Sequence, residues 1–461
     1  MNVNNMTQAQ VEVAIAIQAA GGVPMIAGGA VRDSIMGRKV KDIDMVVFGI
    51  DEQSVIFAVR SCVAVKRVEV TGAKFSVITV TCIDGSPIDI AMPRSETKIG
   101  AGDKGFDITI DPFMPFSGDA IRRDFTINAM MCHAITGEVH DFFGGVADIE
   151  AKVIRAVGPR FVESPDRMVR AGRFAAQFDF DIDPEVIAMC QAMAAAGEFA
   201  TIFKEKMHDE IEKIAMSDHP SRAFRFFVAA GFGAWMPEVQ AMIGCRQDSR
   251  HHPEGDVFEH TMQVIDHMAR VCNERGVKGK DRVIAFFGAI CHDMGKPEVT
   301  IIHPDGSITS AGHAQAGVGQ ARNFMRRMGF ENAAMIAVVQ KIVAHHMDMI
   351  GIVPNDRIIR RVAARIAPMT IEQFVMIVEA DKSGRSMGIC KPAPEWEAIA
   401  IQQACMVQPP VAIIMGRDIV EAGIKPGAQV GAIQRACFAA QIEGVFIDHA
   451  GGIKFMRGII V

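Results

Sequence analysis

At 461 residues the chain is too long for one core, and a prior of about 150 residues per domain leads us to expect about three domains. Its formal charge of −6, from 48 Lys+Arg against 54 Asp+Glu, excludes a global basic excess, so any nucleic-acid site has to be local. Ten Cys without a C-x-x-C pair argue against a disulfide framework or zinc ribbon, and neither a signal segment nor an apolar run of bilayer length is seen, so we expect a soluble, cytoplasmic chain without membrane association.

In chain order, VPMIAGG, IDMVVFGI, CVAVKRVEV, KFSVITVTC and SPIDIAMP read as short strands, with helical spacing at Gly29 to Gly37 and Glu52 to Ser61 between them. From about residue 119 the pattern turns helical and is expected to stay so, with breaks at Asp183-Pro184, His219-Pro220 and Met236-Pro237. The polar stretch Gly244 to Asp256 is the best candidate linker, and Gln408-Pro409-Pro410 is a weaker break. Residues 1–150 carry 13 Lys+Arg against 19 Asp+Glu, which suits either a solvated face or carboxylates gathered around divalent cations.

Gly28-Gly29-Ala30-Val31-Arg32-Asp33 follows a strand and opens a helix. Glycines there allow close backbone approach to an anion and Arg32 adds a forked cation; a plain tight turn fits as well. Asp42 and Asp44, at i and i+2 of a strand, share one face and suit joint binding of hard cations, or a solvent-facing alternation. Asp89, set among apolar neighbours in Ile88-Asp89-Ile90, is a third ligand or an edge gatekeeper. Arg122-Arg123-Asp124-Phe125-Thr126-Ile127-Asn128 concentrates cationic and polar groups at a helix start.

Five blocks in order, GGAVRD, MGRKVKDID, IDIAMPRSE, RRDFTINAM and VHDFFGGVADIEAKVIRAVG, resemble the class II tRNA nucleotidyltransferases and the related bacterial poly(A) polymerases. The resemblance implies an α+β fold: a polymerase-beta-like α/β nucleotidyltransferase head over 1–150, then an all-α neck over 151–243. It also implies that Gly28, Gly29 and Arg32 hold the triphosphate, and that Asp42 and Asp44 hold Mg2+, to which Asp89, on its own reading above, is the candidate third catalytic acid. Arg122, Arg123, Asp124 and Asn128 would contact the ribose and phosphates of the incoming nucleotide. Lys98 to Gly105 falls where the family has a mobile loop. No covalent intermediate is called for, consistent with a chain that contains no Tyr and leaves base stacking to Phe, Trp, His or Arg.

In that family an E-D-x-x-R helix presents an acid and an arginine to the base edge. The corresponding string here is Glu163-Ser164-Pro165-Asp166-Arg167-Met168-Val169-Arg170. Arg167 and Arg170 match, but Ser164 stands where the family has Asp, and a hydroxyl offers no carboxylate. Either Asp166 substitutes, or one kind of nucleotide is added, or these arginines pair with nearby helix acids.

Nine of the 14 His fall between residues 251 and 381. His260, His292-Asp293, His313, His345-His346 and Asp381 form an ordered imidazole and carboxylate set suited to a divalent transition metal. HPEGDVFEHT, CHDMGKP, HAQAG and EADKSGR resemble the HD phosphohydrolases. This resemblance implies an HD domain over 244–405 with His260, His292, Asp293 and Asp381 as the minimal ligands, and His313, His345 and His346 as a second position. His251, His252, His267 and His303 are read as solvent or packing residues. A helical tail over 406–461, with Gly416-Arg417-Asp418 and Gly423 to Gly427, is a possible tRNA contact or simply a helix cap and turn.

The expected activity is therefore template-independent addition of the tRNA 3′-terminal CCA from CTP and ATP with Mg2+, with possible HD phosphohydrolase activity. The rivals are a poly(A) polymerase or an A-only or C-only enzyme and, from another class, an HD phosphohydrolase with a vestigial head.

Overall fold

Alternation along neighbouring strands builds the amino-terminal sheet. In β1 (Val23–Ala27) and β2 (Asp44–Phe48), which pair antiparallel, Ile26, Met45 and Val47 face one way. There they meet Val13 and Ile17 of the helix Gln8–Ala19 and Val55 and Val59 of the helix Glu52–Ser61. Met25, Ala27, Val46 and Phe48 face the other way, against Ala120 and Met131. β3 (Val65–Thr71), β4 (Val77–Cys82), β5 (Pro87–Ala91), β8 (Met131–His133) and β9 (Val139–His140) complete seven strands in the order β3-β4-β5-β2-β1-β8-β9. β6 (Arg94–Lys98) and β7 (Phe106–Ile110) form a separate hairpin.

This computed structural model describes residues 6–71, 77–100, 105–349, 351–385 and 394–460. Residues 101–104 of the expected mobile loop and 74–76 of the expected fourth strand lie outside the described residues. The fold is α+β as anticipated, with two departures. The β6–β7 hairpin was not expected because Arg-Ser-Glu-Thr-Lys has no apolar run to mark it. The chain after residue 119 is not purely helical, since β8 and β9 join the sheet; three residues, Met-Cys-His, are too few to carry a periodicity that separates strand from helix. The described cysteines are unpaired.

Contacts divide the chain into one unit of residues 1–210 with 222–232 and a second of 211–221 with 233–461. The helix Asp166–Phe178 belongs to the first, so the expected head and most of the expected neck form one body. Its apolar face buries Met168, Val169, Ala171, Phe174 and Ala175, while Arg167, Arg170 and Arg173, at i, i+3 and i+6, make one stripe. Gly172 lies so close to Phe227 that an added Cβ would sit 2.5 Å from the ring. Gly172→Ala is expected to cost about 1–3 kcal/mol by overpacking, read as a shifted denaturation midpoint.

The second unit is built from helices, among them Val257–Arg275, Gly279–Cys291, His313–Arg327, Ala333–His345 and Ile371–Ser383. Asp256 caps the first by accepting from the Glu259 N–H at 2.8 Å. The tail has its own small core of Ile414, Ile419, Ile433, Cys437, Phe446 and Met456. Asp418 there accepts from the Met415 N–H at 2.7 Å, which is the cap reading of that element. Among the described residues, no helix is long and apolar enough to cross a membrane.

Candidate functional sites

β2 and β5 run parallel with Asp44 in register beside Asp89. Ile88 and Ile90 belong to the helix-covered core face, so Asp89 points to the opposite face, the one that carries Asp44, Val46 and Phe48. Neighbouring strands lie about 4.8 Å apart, so the two carboxylates stand side by side, with exposed Asp42 two residues before Asp44. Burial, then Asp89 and Asp42, raise the Asp44 carboxyl above its ordinary range despite Arg123 nearby. Thr79 donates its hydroxyl to Asp89 at 2.7 Å. These are hard oxygen donors in a field of their own negative charge, a fit for Mg2+.

Asp44 borders a cavity of about 570 Å³ lined by seven arginines, 32, 94, 122, 123, 167, 170 and 173, and by four carboxylates, Asp44, Glu96, Asp124 and Asp166. Gly28 and Gly29 line it too, as do Asn128, Ser164 and Phe174. Gly28 turns with φ 71°, donates its N–H to Met130 O, and leaves only 3.0 Å between a notional Cβ and Arg123.

Most of these arginines are held by partners. The fully buried Asp119 accepts from Arg122 Nε at 2.9 Å and from Arg123 at 3.1 Å. Burial alone would raise the Asp119 carboxyl, but the two guanidinium groups outweigh it and hold it below the usual range. Arg122 also reaches Glu96, in the middle of β6, at 3.1 Å, tying the β6–β7 hairpin to the cavity. Arg32 lies 4.6 Å from the Phe178 ring centroid and 5.1 Å from that of Phe174, and donates to Asp33 and to Asn128. Asn128 in turn donates to Asp124 at 3.0 Å, and Arg170 holds the other Asp124 oxygen at 2.6 Å. Arg167 donates to the carbonyls of Arg160 at 2.9 Å and Arg122 at 2.6 Å. Ser164 donates its hydroxyl to Asp166.

Every expected residue of this first site is therefore present in one region, but Asp124 serves as an anchor, its two oxygens taken by Phe125, Asn128 and Arg170. Sequence reasoning missed Asp119, Arg94, Glu96 and Arg173. The i+3 and i+4 spacing of Asp119 to Arg122 and Arg123 was the available signal.

In the second unit, His260 and His292 face each other through Nε2 at 3.4 Å, and His313 and His346 do so at 3.2 Å. Nδ1 of His292 lies 2.7 Å from Ala289 O, that of His313 2.8 Å from Ser310 O, and that of His346 2.8 Å from Val343 O. Nδ1 of each of these three rings thus donates to a carbonyl, so Nε2 of His313 and Nε2 of His346 confront one another as acceptors, an arrangement that a cation resolves. Asp381 lies 3.1 Å from His260 Nε2, and Asp293 lies 3.3 Å from His313 and 3.2 Å from His292. Although burial works the other way, a hydrogen bond to Asp381 and the nearby Glu254 carboxylate hold His260 up to about 9, and burial and His292 push His346 down to about 4. His260, His292 and Asp381 form one possible ligand group, Asp293, His313 and His346 another, and His252, Glu254 and His260 a third. The mixed N/O donors fit a transition metal. A cavity of about 540 Å³ opens over them. Gly295 permits the close packing, since a Cβ there would meet His313 O at 2.1 Å.

Two expectations are corrected here. His345 does not join the cluster; its Nδ1 lies 2.8 Å from Asp348, because successive helical residues point about 100° apart and only one of an adjacent pair faces inward. His252, read as solvent or packing, lines the cavity beside Gln247, Asp248 and His251, so the expected linker is a wall of the site.

A sheet-borne acid cluster at an arginine cavity, followed by an imidazole–carboxylate centre on helices, defines a nucleotidyltransferase with an HD domain. Residues 25–155 match the poly A polymerase head domain and 257–375 the HD domain. The multifunctional CCA protein of Nitrosococcus oceani is 31% identical over 431 residues, covering 92% of this chain and 99% of that one, and that of Xanthomonas oryzae pv. oryzae is 31% identical over 430 residues, covering 90% and 97%. The chain belongs to this family of multifunctional CCA proteins. Its fold is similar to the Bacillus stearothermophilus CCA-adding enzyme in complex with CTP, with TM-score 0.62, 18% identity and coverage of 98% and 99%. It is also similar to the Thermotoga maritima CCA-adding enzyme complexed with tRNA, with TM-score 0.60, 17% identity and coverage of 98% and 95%.

Proposed function

We propose that the first unit adds C, C and A to the 3′ end of tRNA from CTP and ATP at the arginine-lined cavity. What carries this reading is the Asp44–Asp89 register pair, with Asp42 beside it, at the edge of a cavity whose seven arginines outnumber its carboxylates. Asp42 and Asp44 hold the Mg2+ ions, with Asp89 as the third acid. When bound, these cations ease deprotonation of the attacking RNA hydroxyl and steady the pyrophosphate leaving group. Gly28 and Gly29 let the backbone approach the triphosphate, and Arg32, Arg122 and Arg123, pre-aimed by their partners, meet its charge. Asp124 and Asn128 lock Arg170 and Arg32 into that arrangement. Arg167, steered by two carbonyls, and the Ser164–Asp166 pair form the wall against which the base edge is read.

The test supplies Mg2+ and tRNA ending before CCA, after CC, or complete, with each labelled nucleotide alone. C addition, then A addition, then a stop is expected; a homopolymer overturns the reading in favour of poly(A) synthesis. Ser164→Asp is expected to sharpen discrimination against GTP and UTP by about tenfold, the value of one well-placed edge contact. An unchanged ratio of incorporation rates would move base reading away from this position.

For the second unit we propose a divalent transition-metal centre that hydrolyses phosphoesters, held by His260, His292, Asp293, His313, His346 and Asp381. The facing Nε2 pairs support it. Phosphomonoester hydrolysis that requires added metal and survives loss of the head carboxylates is the expected result.

A further inference from the structure

The stretch from Gly244 to Asp256 closes on itself: the Gly244 N–H donates to Asp256 at 2.6 Å and the Val257 N–H to Cys245 O at 3.0 Å. Gln247 stands within it, 9% exposed, in the wall of the cavity over the imidazole–carboxylate cluster. Its Oε1 accepts from Lys296 Nζ at 2.7 Å, and that Nζ also reaches Asp293 at 2.6 Å. A lysine ammonium donates and never accepts, so the amide oxygen has to face it and the NH2 group is left to face elsewhere. That nitrogen, Nε2, is buried and has no hydrogen-bond partner. Native proteins leave few such donors unmade, because a buried one forfeits its water without return. The lysine and the arginine of the same cavity face carboxylates of the cluster, Lys296 meeting Asp293 and Arg385 lying 3.2 Å from Asp381.

We propose that Gln247 is a substrate-binding residue of the second unit: its Nε2 donates to an oxygen of a phosphoryl group held over the imidazole–carboxylate cluster. An acceptor oxygen is what the orphaned amide donor lacks, and an oxyanion makes the stronger bond to it. Two contacts, of 2.7 and 2.6 Å, separate the amide from Asp293, a member of the Asp293–His313–His346 group. Nε2 is therefore within reach of one phosphoryl group bound at those ligands. Lys296 orients the amide, since it fixes which end of the side chain is left for a ligand. Gln247 thus has two separable contacts, an oxygen that Lys296 holds and a nitrogen that the phosphoryl group takes.

The inference rests on the metal-centre reading above, and the experiment separates the two. Full-length protein loaded with Co2+ is titrated with inorganic phosphate, following ligand-field absorption, and assayed with p-nitrophenyl phosphate, for wild type, Gln247→Glu and Gln247→Leu. Bound Co2+ per chain is measured on the same samples. Gln247→Glu keeps an oxygen for Lys296 but sets an acceptor where the donor was. It is expected to retain its Co2+ while phosphate affinity falls and KM rises by roughly 10- to 100-fold, the value of a hydrogen bond to a charged group. Gln247→Leu, which removes the donor without adding charge, is expected to lose phosphate affinity by about tenfold. Wild type that binds no Co2+ overturns the metal-centre reading itself. Wild type that binds Co2+ but shows no effect of phosphate overturns the role of Gln247 alone. So does phosphate affinity equal to wild type in either variant, or loss of Co2+ from Gln247→Glu, since the residue would then serve Lys296 or the metal ligands and not the substrate.

Discussion

Replacing both Asp42 and Asp44 by Ala is expected to lower nucleotide incorporation by roughly 10³-fold or more, a barrier increase of about 4 kcal/mol. Asp44 borders the arginine cavity with Asp42 near enough to raise its carboxyl, and Asp89 alone, already accepting from Thr79, cannot gather the same charge. Folding should not suffer. The Asp44 carboxyl is raised by burial and by its acidic neighbours, so the cluster repels itself without a cation, and its removal relieves strain. In the presence of a chelator, the melting temperature of the double variant is therefore expected to equal or exceed that of wild type. In excess Mg2+ the order should reverse, because only wild type gains from binding. The raised carboxyl also has to lose its proton before it can ligate, so incorporation at limiting Mg2+ should fade on acidification sooner than an ordinary aspartate would dictate. Incorporation that persists in the double variant would refute the assignment, and a destabilised metal-free variant would mean the acids hold the fold.

How much of this was legible without coordinates follows from what kind of signal each part leaves. Period-two alternation placed five strands, because the pleat is a local property, but β2 begins at Asp44, so Asp42 lies in the segment before the strand and not on its pleat. Register is not local: that Asp89 falls directly beside Asp44 depends on β2 and β5 meeting as parallel neighbours, which no spacing announces. β6 left no apolar trace, although β7 alternates as Phe-Asp-Ile-Thr-Ile and Arg122 ties Glu96 of β6 to the cavity. In the second unit, ligand identities were readable as a ligand set but not their orientation. His345 and His346 look equivalent in a string, and the helix turns one of them away. Glu254 and His252 sit in a stretch whose Gly, Pro and Asp content reads as a linker, and only the fold brings them behind His260. The departure at Ser164 was visible at once, whereas its hydrogen bond to Asp166 was not.

The second large effect concerns Asp124, whose conversion to Asn is expected to destabilise the first unit by about 3 kcal/mol, the lower end for breaking a buried ion pair. Oδ1 accepts from the Phe125 N–H at 2.8 Å and from Asn128 at 3.0 Å, and Oδ2 holds Arg170 at 2.6 Å. An amide there keeps the shape but sets an NH2 against a guanidinium, leaving Arg170 with Glu210 at 3.9 Å as its remaining counter-charge. The lower end applies because Arg170 keeps some contact with water, its side chain being 32% exposed. Burial works to raise the Asp124 carboxyl, yet Arg170 and Asn128 hold it down to about 2. A carboxyl whose folded value lies below its unfolded one stabilises the native state fully above the unfolded value, near pH 4, and loses that contribution as pH falls through the folded value. The gap in denaturant midpoint between wild type and Asp124→Asn should therefore be constant from about pH 7 down to about pH 5 and close progressively below about pH 4. A double variant with Arg170→Met should recover part of the loss, since it removes the stranded cation along with its partner. A gap that is small at neutral pH, or that fails to close in acid, would show that Asp124 acts through its shape and not through its charge.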